Sequence, residues 1–310
     1  MDIRKDAEIL TINNLRKEYK TSNNKKLSVL KDINLHLSKG ITAIVGPNGA
    51  GKTTLIKSCT DLLTYEGDIF YFGENLQKMN KTKKSLMYAA LSEGTRNIYW
   101  KLTPLENIRY FAALRGIAYK KIKGLSSYLL NELSLYEKRN ELIENLSRGM
   151  QQKVAIVCAL AMNTKIVFLD EPTLGLDVES IINMSYFLTH NEFLKEKLIL
   201  ISSHDFSFIE NTSEKVFKLQ DGMIIEKIDK KGMNNSYIVK VKHSSGGLLQ
   251  QLQYEVIESN GQYCFVRVCI PYYELWKVIE HLNKEGFNVI EIKCESVDIK
   301  NFYFNKTNEL

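Results

Sequence analysis

The amino-acid sequence predicts an α/β core built round a phosphate-binding loop, followed by a smaller α+β unit. Three observations carry that prediction. Gly46-Pro47-Asn48-Gly49-Ala50-Gly51-Lys52-Thr53 follows directly on the apolar run Ile41 to Val45, in the pattern G-x-x-x-x-G-K-T. A second run of buried-strand character, Ile166-Val167-Phe168-Leu169, ends in the paired acids Asp170 and Glu171. Beyond a polar linker at 230–236 the hydrophobic pattern restarts in the order βαββαβ, which suggests a small ferredoxin-like unit over 237–310.

The bulk properties narrow the class. At 310 residues the chain suggests about two domains, the larger with enough apolar residues for a full core. The formal net charge is +6, and Lys and Arg are interspersed with Asp and Glu over most of the length. That favours a solvated surface over a nucleic-acid footprint and leaves contact with an anionic membrane surface open. Five cysteines (Cys59, Cys158, Cys264, Cys269, Cys294) form no C-x-x-C pair and no metal spacing, so they read as reduced, mostly buried thiols. The start lacks the apolar segment of a signal peptide, and no apolar run reaches the length of a membrane span. The expected compartment is the cytosol, with any membrane role coming through a partner.

In chain order, Ile9 to Leu15 and Leu27 to Leu37 alternate as strands about a polar turn. Tyr19, just before that turn, is placed either to stack on an adenine base or to cover apolar surface as an edge-strand tyrosine. The phosphate loop follows. Its glycines permit a tight turn, so backbone N–H groups point inward at a phosphate while the next helix, Thr54 to Leu63, adds its N-terminal dipole. Lys52 is positioned to reach the β- and γ-phosphates and Thr53 to hold Mg²⁺, which implies binding of a nucleoside triphosphate. Gly67 to Phe72 reads as a strand with a turn at Gly73-Glu74-Asn75.

The stretch Leu91 to Trp100 reads as a polar loop closing on Tyr99 and Trp100, a contact surface or a packed edge. Pro104 marks a helix start capped by Thr103 with Glu106 in the first turn, and the pattern stays helical to Glu144 as an insert in the α/β domain. Leu146-Ser147-Arg148-Gly149-Met150-Gln151-Gln152 opens another helix, its Ser147 and Gly149 serving as an anion site or simply as a cap. Asp170 is suited to hold Mg²⁺ through water and Glu171 to polarise an attacking water. Leu174 to Asp177 forms a turn. The strand Lys197 to Ser202 delivers His204 and Asp205, with His204 either sensing a γ-phosphate or hydrogen-bonding within its loop. A hairpin over Lys215 to Leu219 and Met223 to Ile228 turns at Asp221-Gly222.

Together these motifs resemble the nucleotide-binding subunit of ATP-binding-cassette transporters, over roughly residues 9 to 229. The resemblance implies a RecA-like phosphate-loop core with an antiparallel β subdomain and a helical subdomain at about 93–163, the whole spanning 1–229. It makes Tyr19 the adenine-stacking aromatic and Gly46, Pro47, Asn48, Gly49, Ala50, Gly51, Lys52, Thr53 and Thr54 the ATP-binding loop. Ser147, Arg148, Gly149 and Met150 become the signature that acts on a partner's ATP, and Asp177 a dimer contact. Lys52, Glu171 and His204 are then catalytic, and Thr53, Asp170 and Glu93 hold Mg²⁺. Two positions depart from the family pattern. Glu93 stands where glutamine is usual, and Arg148 and Met150 replace a glycine and a glutamine of the signature.

The partners implied are a polytopic membrane permease and a second ATP-binding subunit, with no nucleic acid. The location implied is peripheral, on the inner face of the cell membrane. The C-terminal unit resembles the extension of exporter ATPases of the antibiotic- and polysaccharide-export type, which makes export of an unknown substrate the leading expectation. A soluble cassette ATPase working on ribosomes or nucleic acid is the alternative.

Overall fold

The computed structural model describes residues 8–20, 24–92, 98–229, 235–243, 254–259, 263–270 and 275–295. The chain divides into two units, Met1–Ile228 and Asp229–Leu310.

The first unit holds two sheets. Strands β1 (Leu10–Lys20), β2 (Lys26–Leu37), β4 (Glu66–Tyr71) and β5 (Glu74–Asn75) form an antiparallel sheet in the order β2-β1-β4-β5. Residues 74 and 75, expected in a turn, therefore extend this sheet by pairing with Tyr71 and Phe70. The second sheet has the order β10-β9-β3-β8-β7-β6, from β3 (Gly40–Val45), β6 (Tyr88–Leu91), β7 (Ile166–Asp170), β8 (Leu198–Ser202), β9 (Lys215–Gln220) and β10 (Met223–Asp229). Neighbours from β9 to β6 run parallel. One strand, β8, thus separates the strand feeding the phosphate loop from the strand ending in the two acids, the arrangement of the RecA-like class.

Period-two alternation explains why this sheet is apolar on both faces. Ile166, Phe168, Leu198 and Leu200 join one core with the antiparallel sheet and α1 (Lys52–Cys59). Val167, Leu169, Ile199 and Ile201 join the other, against α3 (Pro104–Leu114), α4 (Tyr119–Glu132), α5 (Arg148–Leu160) and α6 (Val178–His190). Helix α1 is shorter than expected. It stops at Cys59, where the chain turns to a left-handed φ of 56° at Asp61.

The helical insert divides where Gly116 breaks it, and Thr103 and Glu106 form a reciprocal capping box at the start of α3. Two elements had no sequence signal strong enough to place them, α2 (Lys81–Met87) and β6, a short basic helix followed by a four-residue strand.

In the second unit, β11 (Asn235–His243), β12 (Glu255–Ser259), β13 (Tyr263–Ile270) and β14 (Phe287–Glu295) pair antiparallel in the order β12-β13-β11-β14. With α8 (Leu275–Lys284) between the last two, this is the ferredoxin-like order. The expected helix at 247–252 lies outside the described residues, and Asn235 and Ser236, expected in the linker, belong to β11.

Candidate nucleotide site

The phosphate loop is wedged between neighbouring backbones, which is why glycine stands where it does. A Cβ built on Gly46 would lie 2.1 Å from the Leu219 carbonyl oxygen, and one on Gly51 would lie 3.0 Å from the Val29 carbonyl oxygen. Gly49 instead faces open space, at a φ of +82°. The turn closes with Ala50 N–H donating to the Pro47 carbonyl at 3.1 Å. Lys52, the first residue of α1, is buried and donates to the carbonyls of Gly46 at 2.7 Å and Pro47 at 3.2 Å. Thr53 and Thr54 are half-buried in the same turn of α1. Tyr19 is 36% exposed, with the Lys17 ammonium 5.0 Å from its ring centre. The β1–β2 register pairs it with Leu27, two residues from Val29, so the tyrosine belongs to the sheet that walls the loop.

The acids sit one strand beyond. Asp170 is buried and takes a hydrogen bond on Oδ1 from the Ser202 hydroxyl, while its Oδ2 is buried with no hydrogen-bond partner. Glu171 leaves the strand at a left-handed φ of 51°, its N–H held by the Ser202 carbonyl at 2.9 Å. That turn brings its carboxylate against His204, with Nδ1 to Oε2 at 2.8 Å. The glutamate side chain is 12% exposed and the histidine 66%. Burial pushes the Glu171 carboxyl above the usual range, and the adjacent His204 and the Lys52 ammonium pull it partly back. Lys52, Glu171 and His204 are thereby brought into one electrostatic neighbourhood.

The signature segment lies at the start of α5. Ser147 caps that helix through a bond from Met150 N–H at 3.2 Å, and Ser147 and Arg148 are exposed. Gly149 lets the helix approach the turn at Gly175, whose carbonyl oxygen would stand 3.4 Å from an added Cβ. Asp177 caps α6 by accepting from Ser180 N–H at 2.7 Å, and that bond holds its carboxyl below the usual range. Glu93 lies outside the described residues.

Two contributors went unassigned in the sequence. Ser202 orients both acids, through Asp170 Oδ1 and the Glu171 amide. Gln152 is buried and donates at 3.2 Å to the carbonyls of both Glu171 and Pro172, linking the signature helix to the acid turn. Polar residues at a strand tip and in a helix second turn were the available signals.

The donor set suits a hydrated magnesium ion with a polyphosphate. A buried carboxylate oxygen lacking a hydrogen-bond donor is costly unless a cation or its water completes it, and a glycine cradle admits phosphate oxygens to backbone N–H groups. Fold and site together define a phosphate-loop nucleoside triphosphatase.

Comparison with known proteins narrows this. The ABC transporter family model matches residues 30–174. The chain is 31% identical over 226 residues to the SkfA peptide export ATP-binding protein SkfE of Bacillus subtilis, covering 71% of this chain and 88% of that protein. It is 30% identical over 223 residues to the bacitracin transport ATP-binding protein BcrA of Enterococcus faecalis, covering 71% and 69%. Against ABC transporter A family member 5 of Dictyostelium discoideum it is 32% identical over 244 residues, 77% of this chain but only 14% of that longer protein. Among solved structures, the dimeric post-hydrolysis cassette MJ0796 bound to ADP and Pi shares the fold at a TM-score of 0.63 and 22% identity, over 72% of this chain and all of that one. The chain belongs to the ABC transporter family as an ATP-binding protein.

Proposed function

We propose that this ABC-type ATPase binds MgATP between two such subunits and hydrolyses it to drive export through a separate permease at the inner face of the cell membrane. The observation that carries the reading is the His204 bond to Glu171 at the end of β7, with the Lys52 ammonium of the phosphate loop near enough to favour that carboxylate's charged form. Lys52 is placed to offset charge on the terminal phosphates, and backbone N–H groups of the loop are placed to bind their oxygens. Glu171 orients a water for in-line attack and takes its proton. His204 holds that carboxylate and favours its charged form. Thr53 and Asp170 would hold Mg²⁺, which when bound would neutralise charge on the phosphate oxygens.

Exposed Ser147 and Arg148 suit a role toward a partner's nucleotide, and the Asp177 turn is next to them through Gly149 and Gly175. Export is supported by the relative named for peptide export. Tyr99 and Trp100 are each 49% exposed, and Tyr99 packs on Tyr110 with ring centres 4.5 Å apart. A hollow of about 350 Å³ beside them, lined by Ile98, Phe111, Cys158 and Met162, is the surface we assign to the permease.

The test is affinity purification of the tagged chain from detergent-solubilised membranes, wild type against Glu171→Gln, with ATP and Mg²⁺. Recovery of a polytopic protein, with the variant trapping ATP in a dimer, supports the reading. Recovery of ribosomes, or of nothing polytopic, overturns the transport assignment.

A further inference from the structure

Charge in this chain is segregated in a way the overall count hides. Residues 75–92 contain four lysines and no acid, and residues 107–131 contain five basic residues and no acid. The fold brings the two stretches together. Arg115, at the end of α3, donates to the carbonyls of Ser85 and Tyr88, both at 2.7 Å, which clamps the α3–α4 turn onto α2. Lys83 and Lys84 are engaged by Glu74 and Asp61. Among the described residues, Lys78, Lys81, Lys120, Lys121 and Lys123 are exposed and form no ion pair. Two large apolar side chains of the same two stretches are also exposed, Leu86 at 51% and Leu114 at 65%. They flank the two ends of the Arg115 clamp.

We infer that this face of the helical insert binds an anionic lipid surface directly. Unpaired lysines around aliphatic side chains are the composition of a bilayer-interface contact, in which headgroup charge holds the surface and the leucines reach the acyl boundary. Base stacking by a nucleic acid calls for exposed aromatic faces. Tyr119, the aromatic next to these lysines, has the Arg109 guanidinium 4.8 Å over its ring. The contact goes beyond permease docking, since it needs no protein partner.

Flotation of the purified full-length chain with vesicles tests it. Recovery is expected with phosphatidylcholine containing about one-third phosphatidylglycerol, falling as salt rises, and not with phosphatidylcholine alone. Replacing the lysines together (Lys120→Gln, Lys121→Gln, Lys123→Gln) is expected to weaken binding about a hundred-fold. Replacing both leucines with serine is expected to weaken it while leaving its salt dependence. ATP turnover in solution should be unchanged in both variants. Equal recovery on neutral and anionic vesicles, wild-type binding by the lysine variant, or retention on single-stranded oligonucleotide without vesicle binding would each overturn the inference.

Discussion

Gly46 and Gly49 are both glycines of the phosphate loop, yet they are held for different reasons, and alanine at each separates those reasons. At Gly46 the obstacle is steric. An added Cβ would stand 2.1 Å from the Leu219 carbonyl oxygen, where contacts under 3.0 Å essentially never occur, so loop and β9 must part by about 1 Å. Leu219 follows Lys218, the residue registered against Val45 in the β3–β9 ladder, so that movement strains a central sheet. A cost of about 3 kcal/mol follows for Gly46→Ala, a fall on the order of 6–12 °C in melting temperature for a unit of this size. Lys52 is bonded to the Gly46 carbonyl, so ATP affinity falls with it. At Gly49 nothing lies within 4 Å and only the φ of +82° resists, which costs about 1–2 kcal/mol. Calorimetry without nucleotide ranks the pair. A Gly46→Ala chain as stable as wild type, or less perturbed than Gly49→Ala, refutes the wedge.

Further outcomes follow from the acid turn. Glu171→Gln should retain ATP binding and lose turnover by about 10²–10⁴-fold in a phosphate-release assay, the usual weight of a positioned base. Because the Glu171 carboxyl lies above the usual range, turnover should fall on acidification at a higher pH than for an ordinary glutamate. His204→Ala removes a group that lowers it, so that acid limb should move to still higher pH; an unmoved limb denies Glu171 the role. Gln152→Ala should reduce kcat on the order of tenfold at unchanged ATP affinity, since it frees two carbonyls of the acid turn without touching the loop.

Much of this was legible in the residues because the motifs are local. Loop, lysine and hydroxyl lie within eight consecutive positions, and a cap such as Thr103 with Glu106 is a three-residue relation. What escaped depends on neighbours distant in sequence. Ser202 acts across a strand on acids thirty-odd residues away, and Gln152 reaches carbonyls nineteen and twenty residues on. No spacing rule encodes either. The segregated charge was hidden for the same reason, since residues 75–92 and 107–131 meet only in the folded chain, where Arg115 bonds to the Ser85 and Tyr88 carbonyls. The length of α1 and the pairing of β5 turned on single backbone events, the left-handed turn at Asp61 and a two-residue ladder.

Glu171 carries two costs in one residue. Its backbone is left-handed without being glycine, and its carboxylate is largely buried, so the native chain holds that proton more tightly than the unfolded one. Stability contributed by this group therefore declines as pH rises from the unfolded glutamate value through the raised native one, and at neutral pH the charge is a net burden. Glu171→Gln removes the charge and should melt later than wild type in the same buffer. Any screen that rewards heat resistance alone, without asking for turnover, should thus enrich for chains that have discarded their base.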